Sequence, residues 1–359
     1  AHGSSELAAK PVLVDRFLEN AIEVDVDALR DHSGEVLIAG VMEHVEHAGV
    51  HSGDSACALP PQSLSKELVG ELEQSTKDIA EALDVRGPLN VQYAIQSGKV
   101  YVLEANPRAS RTLPFVAKAT GLPIAKAAAR LMLGSTLEEL RQEGLLPSWS
   151  KGLTWTQGAA RFPYVAVKEA VLPFARFSGV DTVLGPEMRS TGEVMGVDLS
   201  FGMAFAKSQM AAGNRLPAAG PGAGVVLMSL ADKDKKEGAE VARRLVGLGF
   251  ELAATQGTAR FLREAGLEVS TEVAKIGEPD AQGRVDVVSL IESGKVSLVV
   301  NTPRGSGPRV DGVHIRLAAL SKRIPCLTTL AAAKAAVEGI SAWQDSSLAV
   351  RSLQELHRT

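Results

Sequence analysis

Between residues 90 and 106 the chain reads Asn90-Val91-Gln92-Tyr93-Ala94-Ile95, then Gln96 to Lys99, then Val100 to Asn106. Two alternating runs around a Gly-containing turn predict a β-hairpin. Alternation puts Glu104 and Asn106 on one face of their strand, about 7 Å apart along it. The turn decides whether Gln92 joins them. A two-residue turn, Ser97-Gly98, pairs Gln92 with Leu103 and leaves it on the other face. A three-residue turn, Ser97-Gly98-Lys99, pairs Gln92 with Glu104 and Asn90 with Asn106, with Gly98 or its neighbour in a left-handed bulge position. The second register is the expected one. It gathers Gln92, Glu104 and Asn106, hard oxygen donors with one carboxylate, a set that suits Mg²⁺ sharing its shell with phosphates and water. On spacing alone, an exposed hairpin face of ordinary polar residues is the competing account.

Pro107-Arg108-Ala109-Ser110-Arg111-Thr112 follows directly. Arg108 and Arg111 could clamp anionic oxygens beside such a metal; a solvated loop is the alternative. In Ala21 to Asp27, Ile22, Val24 and Val26 alternate with Glu23, Asp25 and Asp27. The acids are expected on an exposed antiparallel face, or against a cation or a hydroxyl-rich ligand. Glu43 to Ser55 holds three His and three acids, but passes from a strand into a Gly-punctuated loop, where a zinc register is not expected. Such a loop can offer N–H groups and hydroxyls to phosphate or sugar. Further on, Thr255-Gln256-Gly257-Thr258 ends a strand and opens a helix, Asn301-Thr302 ends another strand, and Lys235 and Lys275 supply positive charge. Together these suggest a phosphate pocket, with helix capping by Thr255 and Thr258 as the plainer account.

Two kinds of scaffold position these residues. Val12 to Phe17, Ile22 to Leu29 and Val36 to Val45 read as strands in near succession. Ser65 to Leu83 reads as an amphipathic helix burying Leu68, Leu72, Ile79 and Leu83. The hairpin follows, then helices through Leu140. Strands and helices in separate runs predict α+β with an antiparallel sheet. Ala211 to Gly224 carries four Gly and two Pro without periodicity and reads as a linker. Beyond it strands are expected at Val225 to Leu230, Phe250 to Ala254, Leu267 to Glu272, Val296 to Asn301 and Ile324 to Thr328. Helices are expected at Asp232 to Leu248, Thr258 to Ala265, Val285 to Glu292, Arg309 to Arg323 and Leu330 to Glu338. That alternation predicts a doubly wound α/β layer that binds ligands at the carboxyl ends of its strands. The expected division is an irregular or appended end at 1–10, a first unit at 11–210, a linker at 211–224 and a second unit at 225–359.

Composition sets the outer limits. The chain has 359 residues, enough for roughly two domains. Hydrophobic residues are 45% and charged residues 22%, ordinary for a globular protein, and a net charge of −4 gives no general pull toward nucleic acid or anionic membrane. Cys57 and Cys326 lie in no CxxC or Cys/His cluster, so a structural zinc and a disulfide framework are not expected and a reducing cytoplasm is. No stretch is long and apolar enough to span a bilayer, and Ala1 to Lys10 has no secretory h-region.

DRFLENAIEVDVDAL, GVMEHVEHAGVHSGDSACALPP, RGPLNVQYAI, YVLEANPRASRTLPFVAKATG, VKEAVLPF and LGPEMRSTGEVMG resemble the carbamoyl-phosphate synthase large chain. They are similar to the latter part of its second ATP-grasp unit, and the region beyond the linker to its allosteric domain of methylglyoxal-synthase-like fold. The resemblance runs from about Pro11. It implies a ligase that phosphorylates carbamate with ATP, giving carbamoyl phosphate for arginine and pyrimidine biosynthesis. It also implies a glutamine-hydrolysing small subunit as partner and small-molecule effectors. Gln92, Glu104 and Asn106 match the family's Mg²⁺ or Mn²⁺ ligands. Arg16, Leu18 and Glu23 match nucleotide contacts, Glu23 near the ribose, as do Gly49, Val50, His51 and Ser52. Arg108 and Arg111 match arginines at the reacting phosphoryl group and carbamate. Glu46, Asp54, Glu169 and Thr328 match an ornithine effector site found in some members. Lys235, Thr255, Thr258, Lys275 and Asn301 match a nucleotide-effector pocket. Enteric-type members carry a second Thr after Asn-Thr where this chain has Pro303, which removes a hydroxyl and an N–H. The family's large chains are several times longer, so the expectation is an incomplete ATP clamp and poor activity alone. The alternative is a non-catalytic regulatory piece that binds nucleotide effectors.

Overall fold

The computed structural model describes residues 14–156, 162–177, 179–274, 284–302, 310–345 and 349–357. The expected irregular end at 1–10, Lys275 and Pro303 lie outside the described residues.

Seven strands form the first sheet: β1 (Ile22–Arg30), β2 (Val36–His47), β3 (Cys57–Leu59), β4 (Gly87–Gln96), β5 (Lys99–Asn106), β6 (Val165–Val171) and β7 (Gly192–Asp198). Their order is β5-β4-β1-β2-β3-β6-β7, and every neighbouring pair is antiparallel. Helix α1 (Lys66–Ala82) joins β3 to β4. Helices α2 (Leu113–Thr120), α3 (Ile124–Met132) and α4 (Leu137–Gln142) follow β5, and α5 (Phe201–Ala211) follows β7. Ser65 caps α1, its hydroxyl accepting from the Leu68 amide. Val69, Leu72, Thr76 and Ala80 face inward. Leu83, expected inside, is the exposed C-cap, because the chain turns at Asp84 with φ 44° before it can complete another helical turn. Residues 14–17, expected to be part of a strand, form none; Val14 and Phe17 are exposed, with no neighbouring strand to pair them.

The second sheet is parallel. Its strands are β8 (Val225–Ser229), β9 (Glu251–Thr255), β10 (Thr271–Val273), β11 (Val296–Asn301) and β12 (Cys326–Leu327), in the order β10-β9-β8-β11-β12. Helices α6 (Lys235–Gly247), α7 (Gln256–Glu264), α8 (Val287–Glu292), α9 (Val310–Ser321) and α10 (Leu330–Asp345) alternate with them, and α11 (Leu353–Leu356) ends the described chain. The strand order reverses at β8, so the loops after β8 and β11 diverge and leave a crevice between them. The expected α+β part and doubly wound α/β part are both present. The strand expected from Leu267 is shorter and begins at Thr271.

The two sheets share one core. Val45, Ala58 and Val167 of the first sheet pack in the same buried cluster as Phe205 of α5, Ala336 of α10 and Met228 of the second sheet. Residues 212–224 contain neither helix nor strand, yet they are no free tether, because Leu216 plugs this cluster. Two glycines set the spacing of α5 against α10. A Cβ on Gly202 would lie 2.7 Å from the Glu338 backbone, and one on Gly339 would lie 2.8 Å from the Gly202 carbonyl.

That contact fixes the sign of a substitution. Ala favours a helix interior by about 1 kcal/mol over Gly, but Gly202→Ala must push the two helices apart. It is expected to destabilise the chain by about 1–3 kcal/mol in urea unfolding. Gly247→Ala on α6, where an added Cβ meets nothing within 4 Å, is expected to be neutral or stabilising.

Candidate functional site

The hairpin places its polar residues as expected, by a different route. Asn90 opposes Asn106 and Gln92 opposes Glu104. The turn, however, has two residues, Ser97 and Gly98 with φ 52° and 76°, and Gln96 opposes Lys99. Leu103 is the extra residue of a β-bulge between the Tyr93–Val102 and Gln92–Glu104 pairs. The expected three-residue turn is therefore corrected: the bulge supplies the one-residue shift. Asn106 Nδ2 donates to Glu104 Oε1 at 2.8 Å. Asn106 Oδ1, Glu104 Oε2 and the Gln92 amide oxygen are then the acceptors for a hard cation, and this donor set fits Mg²⁺ or Mn²⁺.

The polar face continues onto β1, where Asp25 opposes Gln92 and Asp27 opposes Asn90. Glu23, Asp25 and Asp27 were expected on an exposed face. All three are buried, at 3%, 0% and 1% exposure. Each has donors that local sequence does not reveal. The Gly49 amide donates to Glu23 Oε2 (2.9 Å), and Asp25 Oδ2 lies 3.0 Å from His44 Nε2. Asn90 Nδ2 and the Thr112 hydroxyl donate to the two oxygens of Asp27 at 2.9 and 2.7 Å. Burial, helped by the neighbouring Asp25 charge, pushes Asp27 up to about 6. Burial also raises Glu23. For His44 burial opposes the charged form, but Cys57 and the Asp25 carboxylate outweigh it and hold the imidazole well above its usual value.

Around this face lie the other candidates. Gly49 takes φ 97°, and its amide reaches Glu23, so the 49–52 stretch sits over that acid. The His51 amide donates to Gly185 O at 2.9 Å, and the two Asp54 oxygens accept from the Arg189 and Ser190 amides at 2.7 and 2.8 Å. Arg111 Nη1 contacts Met188 Sδ of the same 181–190 loop. Arg108 is exposed, and its Nη1 donates to the adjacent Ala109 carbonyl (3.1 Å). Arg16 is exposed and Leu18 half-buried on the segment leading into β1. Sequence reasoning passed over Lys168. It is 1% exposed, and its Nζ donates to Ser55 O and Ser52 O at 2.6 and 3.1 Å, clamping the 49–55 stretch. The one available signal was the adjacent pair Lys168-Glu169 in the middle of an otherwise apolar strand.

Beside Lys168 lies a buried acid pair. Glu46 Oε2 accepts from the Ser55 hydroxyl (2.7 Å) and the Ala56 amide (2.6 Å), and Glu169 Oε2 from Gln209 Nε2 (2.5 Å). Burial, with Glu46 as a like charge, pushes Glu169 up to about 8, and burial raises Glu46. Thr328 is half-buried and precedes Thr329, whose hydroxyl lies 3.5 Å from Val45 O. Glu46 and Glu169 are thus adjacent, and the chain at Thr329 reaches β2 next to Glu46.

The crest of the second sheet gathers Thr255, Thr258 and Asn301. Neither Thr caps its helix: the α7 N-cap, Thr255, makes no capping bond. The hydroxyl of Thr258 instead accepts from the Leu230 amide (3.0 Å), and that of Thr302 from Ala231 (2.8 Å), fixing the loop after β8. The expected capping is thereby corrected, because the adjacent strand end offers an unpaired amide at closer reach. Thr255 Oγ1 points to Ser229 Oγ and Thr258 Oγ1 at 3.4 and 3.3 Å. Lys235 is held by Asp232 at 2.7 Å.

The acid pair predicts a pH signature. Glu169 keeps its proton in the folded chain up to about 8, whereas the unfolded chain loses it near 4.5. The folded state therefore binds more protons across that window, and stability falls as pH rises through it. Glu169→Gln cannot ionise and still accepts from Gln209. Its unfolding free energy is expected to match wild type near pH 4.5 and to exceed it by on the order of 2 kcal/mol at pH 8. Urea titrations at both pH values measure this.

Residues 1–140 match the family described as carbamoyl-phosphate synthase L chain, ATP binding domain, and residues 237–328 match the MGS-like domain. The carbamoyl phosphate synthase large chain of Mycobacterium tuberculosis (strain ATCC 25618 / H37Rv) is 54% identical over 356 residues, covering 97% of this chain and 31% of that one. The large chain of Streptomyces coelicolor is 52% identical over 359 residues, covering 98% and 32%. A complete multifunctional pyruvate carboxylase from Rhizobium etli is similar in structure at 19% identity and a TM-score of 0.41, covering 57% of this chain and 22% of that one. The chain spans about a third of the length of the curated relatives it matches. With both domain matches in place and half of its residues shared with such chains along almost its whole length, it is similar to about a third of a carbamoyl-phosphate synthase large chain.

Proposed function

We propose that this chain forms the carbamate-phosphorylating end of a carbamoyl-phosphate synthase together with its effector-binding domain. The observation that carries the reading is the bulged register that sets Gln92 opposite Glu104, with Asn106 on the same face and Arg108 and Arg111 in the next turn. Phosphoryl transfer from ATP to carbamate needs no protein nucleophile; it needs positioning and charge neutralisation. Mg²⁺ or Mn²⁺ at Gln92, Glu104 and Asn106 would neutralise phosphate oxygens. Arg108 and Arg111 neutralise the carbamate and the transferring phosphoryl group. Glu23 accepts from the ribose, and the Gly49, Val50, His51 and Ser52 backbone lines the nucleotide with Arg16 and Leu18. Asp27 supports this wall from behind, by fixing Asn90 and the Thr112 turn that follows Arg111.

In the same reading, Lys235, Thr255, Thr258 and Asn301 at the crest of the second sheet receive a nucleotide effector, with Lys275 as a further contact. Glu46, Asp54, Glu169 and Thr328 receive a cationic amino acid such as ornithine. A glutaminase small subunit supplies ammonia, and the product feeds arginine and pyrimidine biosynthesis in the cytoplasm. No helix among the described residues is long and apolar enough to cross a membrane.

The reverse partial reaction tests the assignment. MgADP and carbamoyl phosphate should yield ATP and carbamate, slowly with this chain alone, and the rate should fall at least tenfold in Glu104→Ala. Chelation should abolish it and added Mn²⁺ restore it. An equal rate in Glu104→Ala would remove that residue from the site. No ATP from a folded, effector-binding chain would leave effector binding as its function.

A further inference from the structure

Lys168 on β6 is buried opposite Cys57 of β3 and Met195 of β7. An ammonium taken from water costs several kcal/mol that a methionine of similar length would not. What the charge provides is a grip on the backbone: Nζ donates to Ser55 O at 2.6 Å and to Ser52 O at 3.1 Å. A planar trans peptide points its C=O and the following N–H in opposite directions. Each held carbonyl therefore aims the amide behind it. Behind Ser55 O is the Ala56 amide, which donates to Glu46 Oε2 at 2.6 Å. Behind Ser52 O is the Gly53 amide, which donates to His51 Nδ1 at 3.0 Å.

The second of these bonds selects a tautomer. A backbone N–H can only donate, so His51 Nδ1 is the acceptor and the proton of the neutral ring sits on Nε2. The ring's place is set as well. Gly53 carries no side chain, and a Cβ there would lie 3.1 Å from His51 Nδ1 and 3.1 Å from Met188 Sδ. The His51 backbone is held on both sides: its amide donates to Gly185 O at 2.9 Å, and its carbonyl accepts from the Asp54 amide at 2.8 Å. Nε2 meets no hydrogen-bond partner among the described residues, and the residue is half-buried. Met188, beside Gly53, also touches Arg111 through its sulfur, so the unused donor lies in the same corner as that arginine.

We propose that Lys168 is a positioning residue for the first-sheet site: its grip on Ser52 and Ser55 aims the Gly53 amide at His51 and holds that ring as an Nε2–H donor for a phosphate oxygen of the nucleotide. A donor fixed before the nucleotide arrives costs no reorganisation on binding. Without the ammonium the 52–53 peptide is free to turn over, and the proton redistributes between the two ring nitrogens. This inference rests on the reading of residues 49–52 as a nucleotide-lining stretch.

Long-range proton–nitrogen NMR on the 359-residue chain with isotope-labelled histidine, beside calorimetry with MgADP, tests it. The chain has seven histidines, and the signals that vanish in His51→Gln belong to His51. Wild type is expected to show His51 as a single Nε2–H tautomer, with its Nε2 resonance shifting when MgADP binds. Lys168→Met is expected to show exchange between both tautomers and to bind MgADP about tenfold more weakly, the worth of one charge-assisted hydrogen bond. Lys168→Arg keeps the charge beside Glu46 but replaces a compact ammonium by a planar fork, and is expected to fall between the two. A purely structural role for Lys168 would lower the unfolding midpoint of Lys168→Met and leave tautomer and affinity unchanged, and that result overturns the inference. So does a proton on Nδ1 in wild type, whether or not either variant folds. MgADP bound without a shift at His51 also overturns it and leaves the nucleotide reading intact. A wild-type chain that binds no MgADP overturns that reading and the inference with it.

Discussion

The buried acidic face of β1 is the constraint on which the first site depends. Three carboxylates on alternate residues of one strand lie in the interior. Each ionised carboxylate taken from water costs several kcal/mol unless donors replace the solvent. The donors come from four separate stretches: His44 on β2, Asn90 on β4, Gly49 in the loop after β2, and Thr112 after β5. A one-residue slip of β1 would turn Ile22, Val24 and Val26 onto this face and leave every donor unmatched. The acids therefore specify register more than they add stability. Register is what the site needs, since the β1–β4 pairing fixes where Asn90 and Gln92 stand, and these in turn oppose Asn106 and Glu104.

The same logic governs Lys168. Its ammonium lies between the Ser52 and Ser55 carbonyls, with Glu46 and Glu169 close enough for its charge to lower both. One lysine faces two buried acids, so the least costly arrangement near neutral pH keeps a proton on one of them. Glu169 is that one, because Glu46 has both a hydroxyl and an amide donating to it, whereas Glu169 takes a side-chain donor only from Gln209. With that proton in place the charges of Lys168 and Glu46 offset each other.

Local chemistry was legible in the sequence where it followed from strand periodicity. The pairing of Gln92 with Glu104 and the doubly wound second layer both came from alternation and punctuation. The turn did not, because a bulge at Leu103 and a longer turn produce the same pairing and differ only in where the extra residue sits. Burial of Glu23, Asp25 and Asp27 was not legible either. The segments that cover them lie as far as 85 residues away in Asp27–Thr112, and alternation reports which face a side chain takes but not what lies on it. Thr258 misled for a similar reason. Its position predicts a cap, but the Leu230 amide, 28 residues earlier, is the donor it meets.

Glycine-rich composition marks 211–224 as a linker, and packing ties that stretch into the shared core. Leu216 is buried, Gly202 and Gly339 bring α5 and α10 into backbone contact, and Lys207 ties Val197 O on β7 to Ala349 O near the chain's end. The terminal α11 returns to the first sheet's layer, where His357 Nε2 bonds Lys118 O at the end of α2. A rearrangement at the crest of the second sheet must therefore work through a close-packed body. In such a body a displacement propagates through elements that have two discrete arrangements, and apolar contacts resist gradual shear.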